Sequence, residues 1–475
     1  MDVPEQWDWK KLGDNVTTAA SVRMARHLST VSHVLIKNED GILPLNKGSP
    51  GKKIAVFGLA DQSNCLVHGG GSGSVAPSFI VSPLEGLRQA WGIPPPPPPP
   101  NNCSDGHFIS GYDFDNQDKQ TFKQAASIEE CCQACAANSD CKAFSRTNEG
   151  VCYMKGSTRN FKANSDVTCG VCKKEPVPKA KSNLTYTDGF QDLIRAAFEA
   201  KAADVAIVFV GTLSHEGGDR ASLSLDDGGP QNNQNALIEV VAAANSNTIV
   251  VMAVPGAVLM PWADKVKAIV TNFMPGQQAG GAIADILTGV ANPSGKLPLT
   301  FPNKENEVEF SQDQWPGYGK SSTGESPGFA NYSEKLLVGY RWYDAKKIAF
   351  TTGAPFGHGL SFTTFSYSDV VMKGRNVTFT LENSGSVAGA EVAQVYAGLP
   401  ATGLGADEPP QRLVAFKKVT LAAGAKASVS LELSDYSLSV WDDQVKHAFE
   451  VLKGAYKIRV GSSSRDIRGT TTLII

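Results

Sequence analysis

The chain has 475 residues, more than the roughly 250 to 300 at which a single hydrophobic core stops growing, so two or three folding units are expected. Hydrophobic residues make up 41% and charged ones 19%, which excludes a disordered chain, while 46 Gly and 27 Pro demand many turns. A formal net charge of -3 excludes the basic footprint that nucleic acid or an anionic membrane surface requires, and a neutral partner such as a sugar fits better.

The opening MDVPEQWDWKKLGDN lacks the basic and apolar regions of a secretory signal, so the protein is either cytosolic or continues upstream of residue 1. No apolar run reaches the roughly 20 residues of a membrane span, and the longest, around Ile249 to Val258, is broken by Pro255 and Gly256. In SVRMARHLSTVSHVLIKN, Met24, Leu28, Val31 and Leu35 share one face of an amphipathic helix, and the apolar strand KIAVFG follows at 53–58. A second helix, Phe190 to Ala202, leads into AADVAIVFVG; Leu237 to Ala244 then leads into NTIVVMAVPG and KAIVTNF. Val/Ile-rich runs alternating with helices mark a parallel sheet covered on both faces, so residues 21–92 and 183–302 are assigned to one interrupted α/β sandwich.

The interruption begins with seven prolines, Pro94 to Pro100, within a stiff polyproline spacer at 93–102. Eight of nine cysteines then fall between Cys103 and Cys172, with Cys65 outside. So dense a set reads as a disulfide-stapled module from an oxidising compartment; the rival is a zinc site on the two CxxC pairs, Cys132 with Cys135 and Cys169 with Cys172. Five N-x-S/T sequons, at Asn15, Asn102, Asn183, Asn331 and Asn376, agree with a glycoprotein that is secreted, extracellular or vacuolar. The strings SIEECCQACAANSDCKAF and CYMK resemble a PAN/apple module, which would make residues 103–173 a protein- or carbohydrate-binding unit, or else an inert surface insertion.

Residues 303–365 form a Gly/Ser/Pro-rich connector. From 366 to 475 the texture changes to short period-2 runs (NVTFTLEN, AEVAQVYAGL, QRLVAFKKVTL, ASVSLELS, GAYKIRVG) separated by turns, the signature of an antiparallel β-sandwich.

Three strings, VLIKNEDGILPL at 34–45, VGTLSHEGGDRASLSL at 210–225 and MPGQQAGGAIADILTGVANPSGKLPLTFP at 274–302, resemble the C-terminal domain of glycoside hydrolase family 3, the β-glucosidase type. EKLLVGYRWYDAKK and APFGHGLSFTTF resemble that family's lead-in to its fibronectin type III-like domain. Together they cover almost the whole chain apart from the cysteine-rich insertion. The resemblance implies a retaining hydrolase of terminal β-linked glucosyl or xylosyl residues that needs no cofactor or metal.

In that family the glutamate of the E-x-x-D-R string is the general acid/base, and the matching residue here is Glu216. Glu216 directly follows AIVFVG, where the chain leaves the carboxyl edge of a parallel sheet and ligand groups gather. One carboxyl group there can protonate the leaving oxygen and later activate water. Without the family match Glu216 reads as a solvated loop residue. Asp219 and Arg220 are candidate sugar contacts, against the plainer reading of a loop-anchoring pair. The run His68-GGGSGSVAP fits no nucleotide-loop spacing; in the family such a loop lies at the active-site rim, a packing role more than a catalytic one. His27, His33 and His358 have no metal or triad context and read as structural.

A retaining mechanism needs a second carboxyl group, which in the family is an aspartate in a Ser-Asp-Trp-type string on a preceding (β/α)8 barrel, and no such string occurs here. Residues 1–20 resemble the linker after that barrel, so the expected partners are a β-glucoside or oligosaccharide and a barrel supplied in cis or in trans, and the chain alone is expected to be nearly inactive. Two other readings stand beside this one: a secreted binding protein that works through the PAN-like module, and a subunit complementing a separately encoded barrel.

Overall fold

The computed structural model describes residues 17–475 except 46–51, 72–73, 76, 95–106, 115–117, 123–126, 128–129, 133–134, 136–142, 150, 156–160, 172–182, 219, 230, 312 and 315–329. The chain divides into two compact units, Met1–Ile93 with Asn183–Ile475, and Pro94–Ser182.

The first unit is built on a six-stranded sheet. Its strands are β1 (Val34–Asn38), β2 (Ile54–Gly58), β8 (Leu184–Thr187), β9 (Val205–Gly211), β10 (Thr248–Ala253) and β11 (Ala268–Asn272), with β3 to β7 in the second unit. The order across the sheet is β1-β11-β10-β9-β2-β8. The β11-β10-β9-β2-β8 neighbours are parallel, as expected for the α/β class, whereas β1 joins the edge antiparallel to β11. Every residue of β2, β9 and β11 is buried, which is why these strands read as unbroken apolar runs. Helices α1 (Ala19–Ser32), α2 (Pro83–Ala90) and α5 (Ala279–Leu287) form one packed group, and α3 (Leu193–Lys201) and α4 (Gln234–Ala244) another.

The helix expected through residue 38 stops at Ser32, and Val34–Asn38 is strand. The sheet edge accounts for the difference: Val34, Leu35 and Ile36 are buried there, and their branched chains suit a pleated surface better than a helix. The helical spacing that suggested a continuous face is accidental, since Met24 and Leu28 are 56% and 55% exposed.

Residues 365–475 form the second layer structure of this unit, an all-β sandwich. One sheet holds β12 (Phe365–Lys373), β13 (Asn376–Asn383) and β16 (Lys426–Glu432); the other runs β15-β14-β19-β20, from Arg412–Leu421, Gly389–Gly398, Ala455–Gly461 and Ile467–Ile474. Val377, Phe379, Leu381, Val395, Tyr456 and Ile458 fill the space between them. A short helix α7 (Asp435–Leu438), after α6 (Tyr340–Lys346), leads into a separate hairpin of β17 (Ser439–Asp442) and β18 (Ala448–Val451).

NPSGKLPLTFP and PFGHGLS meet at the seam between α/β layer and sandwich. Leu297 donates its N–H to the His358 carbonyl (2.8 Å) and Gly357 donates to Leu297 (2.8 Å), while a bridge joins Phe301 to Ala354. A side chain at Gly359 would collide with the carbonyl of Gly295, and one at Gly295 would lie 2.6 Å from the carbonyl of His33. Lys296 is 11% exposed and Glu391, on β14, 7%; their charges meet at 2.9 Å, and Lys296 also donates to the Gly359 carbonyl at 2.8 Å. Burial pushes the Glu391 carboxyl upward, against the pull of Lys296.

In the second unit, β3 to β7 (His107–Phe114, Asp118–Phe122, Ala143–Thr147, Cys152–Lys155 and Phe161–Val171) form one sheet in the order β3-β7-β5-β6-β4. Cys131 is bonded to Cys152 on β6, and Cys132 and Cys135 are also in disulfides, so the zinc alternative loses one of its two CxxC pairs. Cys103 and Cys172 lie outside the described residues, as do Asn15, Asn102 and most of the proline run.

Removing one member of the seam's ion pair strands the other charge inside the protein. Lys296→Met should destabilise the unit by about 3–5 kcal/mol in denaturant unfolding, and Lys296→Met combined with Glu391→Leu should recover most of the loss. A single variant as stable as wild type would show that the pair is not what closes the seam.

Candidate functional site

Glu216 sits where the chain has just left the carboxyl end of β9. Residues 215–218 make a tight reversal in which His215 and Gly218 face each other as a bridge, with Gly217 at φ +71° beside Glu216 at the crest. Gly217 supplies the left-handed conformation that a side-chain-bearing residue rarely adopts. Glu216 and its neighbours His215, Gly217 and Gly218 are exposed, so the carboxyl-bearing turn points to solvent rather than into its own domain.

The turn rests on the glycine-rich loop. Gly70 donates its N–H to the Ser214 carbonyl (3.0 Å). A methyl group on Gly71 would stand 2.6 Å from Cβ of Glu216, and one on Gly70 would overlap the His215 ring. The loop therefore acts as a floor under the turn. That is the packing role expected for these glycines, with the contact falling on the Glu216 turn itself.

A second support comes from Gln234, the first residue of α4, which is fully buried. Its side-chain amide reproduces a strand edge, accepting the Gly211 N–H at 2.8 Å and donating to the carbonyls of Gly211 (2.9 Å) and Leu225 (2.5 Å). Asp226 in turn accepts the N–H groups of Gln234 (2.6 Å) and Asn235 (3.2 Å), satisfying donors that a helix start leaves unpaired. The Asn235 side chain donates to Asp226 (2.9 Å) and accepts from the indole of fully buried Trp262 (2.9 Å). The β9 exit, the Ser222–Asp227 segment and α4 are thereby one hydrogen-bonded block. Sequence reasoning missed Gln234 and Asp226, because a carboxylate eight positions ahead of its helix matches no local capping pattern.

Arg220 turns away from the crest. Its guanidinium donates from Nη2 to the Ala257 carbonyl (3.0 Å), its stem lies against Gly228, and its other nearby charges are Asp227 and Glu305. Burial lowers its pKa, and Nη1 is enclosed without a partner among the described residues. This geometry favours the loop anchor. Asp219 lies outside the described residues.

Neither His33 nor His358 offers a second chemical centre. His33 is fully buried and bonded to the Ser29 carbonyl (2.8 Å), with burial holding its pKa down to about 4. His358 bonds the Ile36 carbonyl (2.8 Å). A cavity of about 30 Å³ among Leu66, Phe209, Met252, Asn272, Ile283 and His33 is walled mainly by apolar groups and does not include Glu216. Among the described residues no group of three His, Cys, Asp or Glu could hold a metal ion.

Residues 33–340 match the glycosyl hydrolase family 3 C-terminal domain, and residues 391–464 match a fibronectin type III-like domain. β-Glucosidase B of Emericella nidulans is 31% identical over an alignment of 542 residues that covers 94% of this chain and 62% of that protein. Thermostable β-glucosidase B of Acetivibrio thermocellus is 38% identical over 316 residues, covering 62% of this chain and 39% of that protein. Among solved structures, DesR, a β-glucosidase from Streptomyces venezuelae in complex with D-glucose, superposes with a TM-score of 0.68 at 29% identity, covering 95% of this chain and 59% of the other. The chain thus spans only part of each relative.

Gly71→Ala should force the 214–216 turn off its floor. The expected loss is about 1–3 kcal/mol in unfolding free energy from overpacking and positive φ. Proteolysis at the turn should also quicken. A variant as stable and as resistant as wild type would remove the glycine loop as the support.

Proposed function

The chain belongs to glycosyl hydrolase family 3, and from that premise we propose that it is part of a retaining β-glycosidase in which Glu216 is the general acid/base. The substrate is a terminal β-linked glucosyl residue, or a xylosyl one, and the nucleophile is an aspartate on a (β/α)8 barrel supplied in cis or in trans. The observation that carries this reading is the placement of Glu216: an exposed carboxylate on a braced turn beyond the carboxyl end of a parallel strand.

The chemistry divides into two steps around one bond. In the first, the Glu216 carboxyl gives its proton to the glycosidic oxygen as the barrel carboxylate attacks the anomeric carbon, releasing the leaving alcohol and forming a glycosyl-enzyme ester. In the second, the Glu216 carboxylate takes a proton from water as that water attacks the same carbon, and the ester breaks to give sugar and the free nucleophile. Two carboxyl groups about 5 to 5.5 Å apart are needed for this stereochemistry. Glu216 faces outward from its own domain, which is the orientation a neighbouring domain requires to complete the cleft. Arg220 holds the loop in this reading, and Asp219 remains a candidate sugar contact.

The insertion fits a PAN-like binding module in an oxidising compartment, a reading supported by the Cys131–Cys152 bridge and the five-stranded sheet. The described sequon residues Asn183, Asn331 and Asn376 are exposed, as glycan acceptors must be, which supports a secreted, extracellular or vacuolar glycoprotein.

Assayed alone on aryl β-glucosides, the 475-residue chain should show little or no turnover. Turnover matching an intact family enzyme would show that no barrel is needed. Joined to its barrel, a Glu216→Ala variant should lose about 10²–10⁴-fold in kcat, the usual range for general acid/base catalysis. Azide should restore turnover on substrates with good leaving groups. Unchanged activity would take Glu216 out of the mechanism.

A further inference from the structure

We infer that His33 is an acid-sensitive latch: with its ring neutral it fastens the C-terminal end of α1 to the sheet, and a proton taken up by the ring releases that helix. His33 directly follows α1, directly precedes β1, and is 1% exposed. Its own carbonyl accepts the Gly295 N–H at 3.1 Å, so the residue joins the helix end to the NPSGK string as well.

The surroundings of the ring suit only its uncharged form. Nδ1 lies 2.8 Å from the Ser29 carbonyl and must carry the proton, which leaves Nε2 with a lone pair. The side chain that meets the ring there is a donor: the Asn272 amide nitrogen stands 3.3 Å from Nδ1 and 3.4 Å from Nε2. Asn272 cannot turn its oxygen to the ring without loss, because the same nitrogen is held by the Ser29 carbonyl at 3.2 Å and the Ser29 hydroxyl at 3.1 Å. Other side chains of the cavity that His33 lines, Leu66, Phe209, Met252 and Ile283 among them, are apolar. A second N–H, and the charge it brings, would be left unmatched among them.

A helix C-terminus ordinarily favours a cation, and here burial outweighs it. Burial is the largest influence on the ring and holds its pKa down to about 4, against the opposing pull of the Ser29 and Thr30 carbonyls and of Asp285. Asp285, on α5, is itself occupied by Arg26 of α1 through bonds of 2.9 and 2.7 Å. On α2, Glu85 accepts from Gln89 at 2.9 Å. β1, β11 and residues 292–297 carry no acidic residue; their cations, Lys37 and Lys296, pair with Glu39 at 3.0 Å and with Glu391 at 2.9 Å. Against an ordinary value of 6.5, the lowered pKa means that the neutral ring's full contribution is present above about pH 6.5 and is lost as pH falls towards about 4. Glu391 works the other way, since burial raises its carboxyl and acid relieves it. His358, also pushed down by burial, bonds the Ile36 carbonyl and does not touch α1 through that ring nitrogen. The latch is independent of the role proposed for Glu216.

The test is hydrogen exchange of the full chain, read by mass spectrometry and corrected for the intrinsic pH dependence of exchange, in wild type, His33→Asn and Asp285→Asn. Between about pH 7.5 and about pH 5, opening of α1 in wild type should increase about 30-fold, the factor set by 6.5 for the released ring and about 4 for the latched one, while β13 and β14 in the sandwich stay within about threefold. His33→Asn, whose amide can still donate to Ser29 but takes up no proton, should open α1 equally at both pH values. Asp285→Asn should keep the acid step. An unchanged wild type overturns the latch, as does a step that survives in His33→Asn. A step lost in Asp285→Asn also overturns it, by making the Arg26–Asp285 pair the acid-sensitive tie. An equal increase in β13 and β14, the mark of global unfolding, overturns it too. If His33→Asn does not fold, wild type and Asp285→Asn decide.

Discussion

Close approach of bare backbone to bare backbone is the constraint on which the site depends. The 214–216 turn lies directly on residues 69–71, and only glycine there leaves room for it. The Gln234 amide holds the strand end just before that turn by pairing with Gly211 at the end of β9. Exposure and support, which usually oppose each other in a loop, therefore coexist at Glu216: the residue is exposed while its backbone rests on the glycine loop. The role proposed for Glu216, acid to a leaving oxygen and then base to a water at the same carbon, needs that combination.

The most family-specific strings in the sequence turn out to do mechanical work. NPSGK and PFGHG carry no group suited to bond cleavage; they interlock, glycine against glycine, with a buried lysine reaching across to Glu391. Their strictness has a steric origin, since a seam with no space for a Cβ tolerates few sequences. Motif specificity identified the family here, and the acid/base proposed for it lies in the much less distinctive SHEGG.

Much of the fold was legible because buried parallel strands must be apolar on both faces, so runs such as AIVFVG and TIVVMA announce themselves. Strand direction was not legible: the apolar pattern of VLI is the same whether β1 runs with or against β11, and an adjoining helical spacing through Met24 and Leu28 extended the helix into it. Glu216 was found through the E-x-x-D-R string and its position after a strand. Its supports escaped notice because Asp226, Gln234, Asn235 and Trp262 act on one another across turns whose geometry no local pattern encodes. Arg220 illustrates the reverse: a charged residue beside a catalytic candidate invites a substrate role, yet its guanidinium meets the Ala257 carbonyl.

The second unit leaves the sheet after α2, at Ile93, and the chain returns at Asn183 to form β8, the outermost strand beside β2. A detour at that position breaks into no ladder between inner strands, and the entropy of closing it rises by only about 0.6 kcal/mol for each doubling of its length. The length of the detour thus costs the α/β layer little. This makes the gap between α2 and β8 a grafting port, through which a lineage could exchange one accessory cassette for another while the carboxyl-bearing edge of the sheet kept its shape.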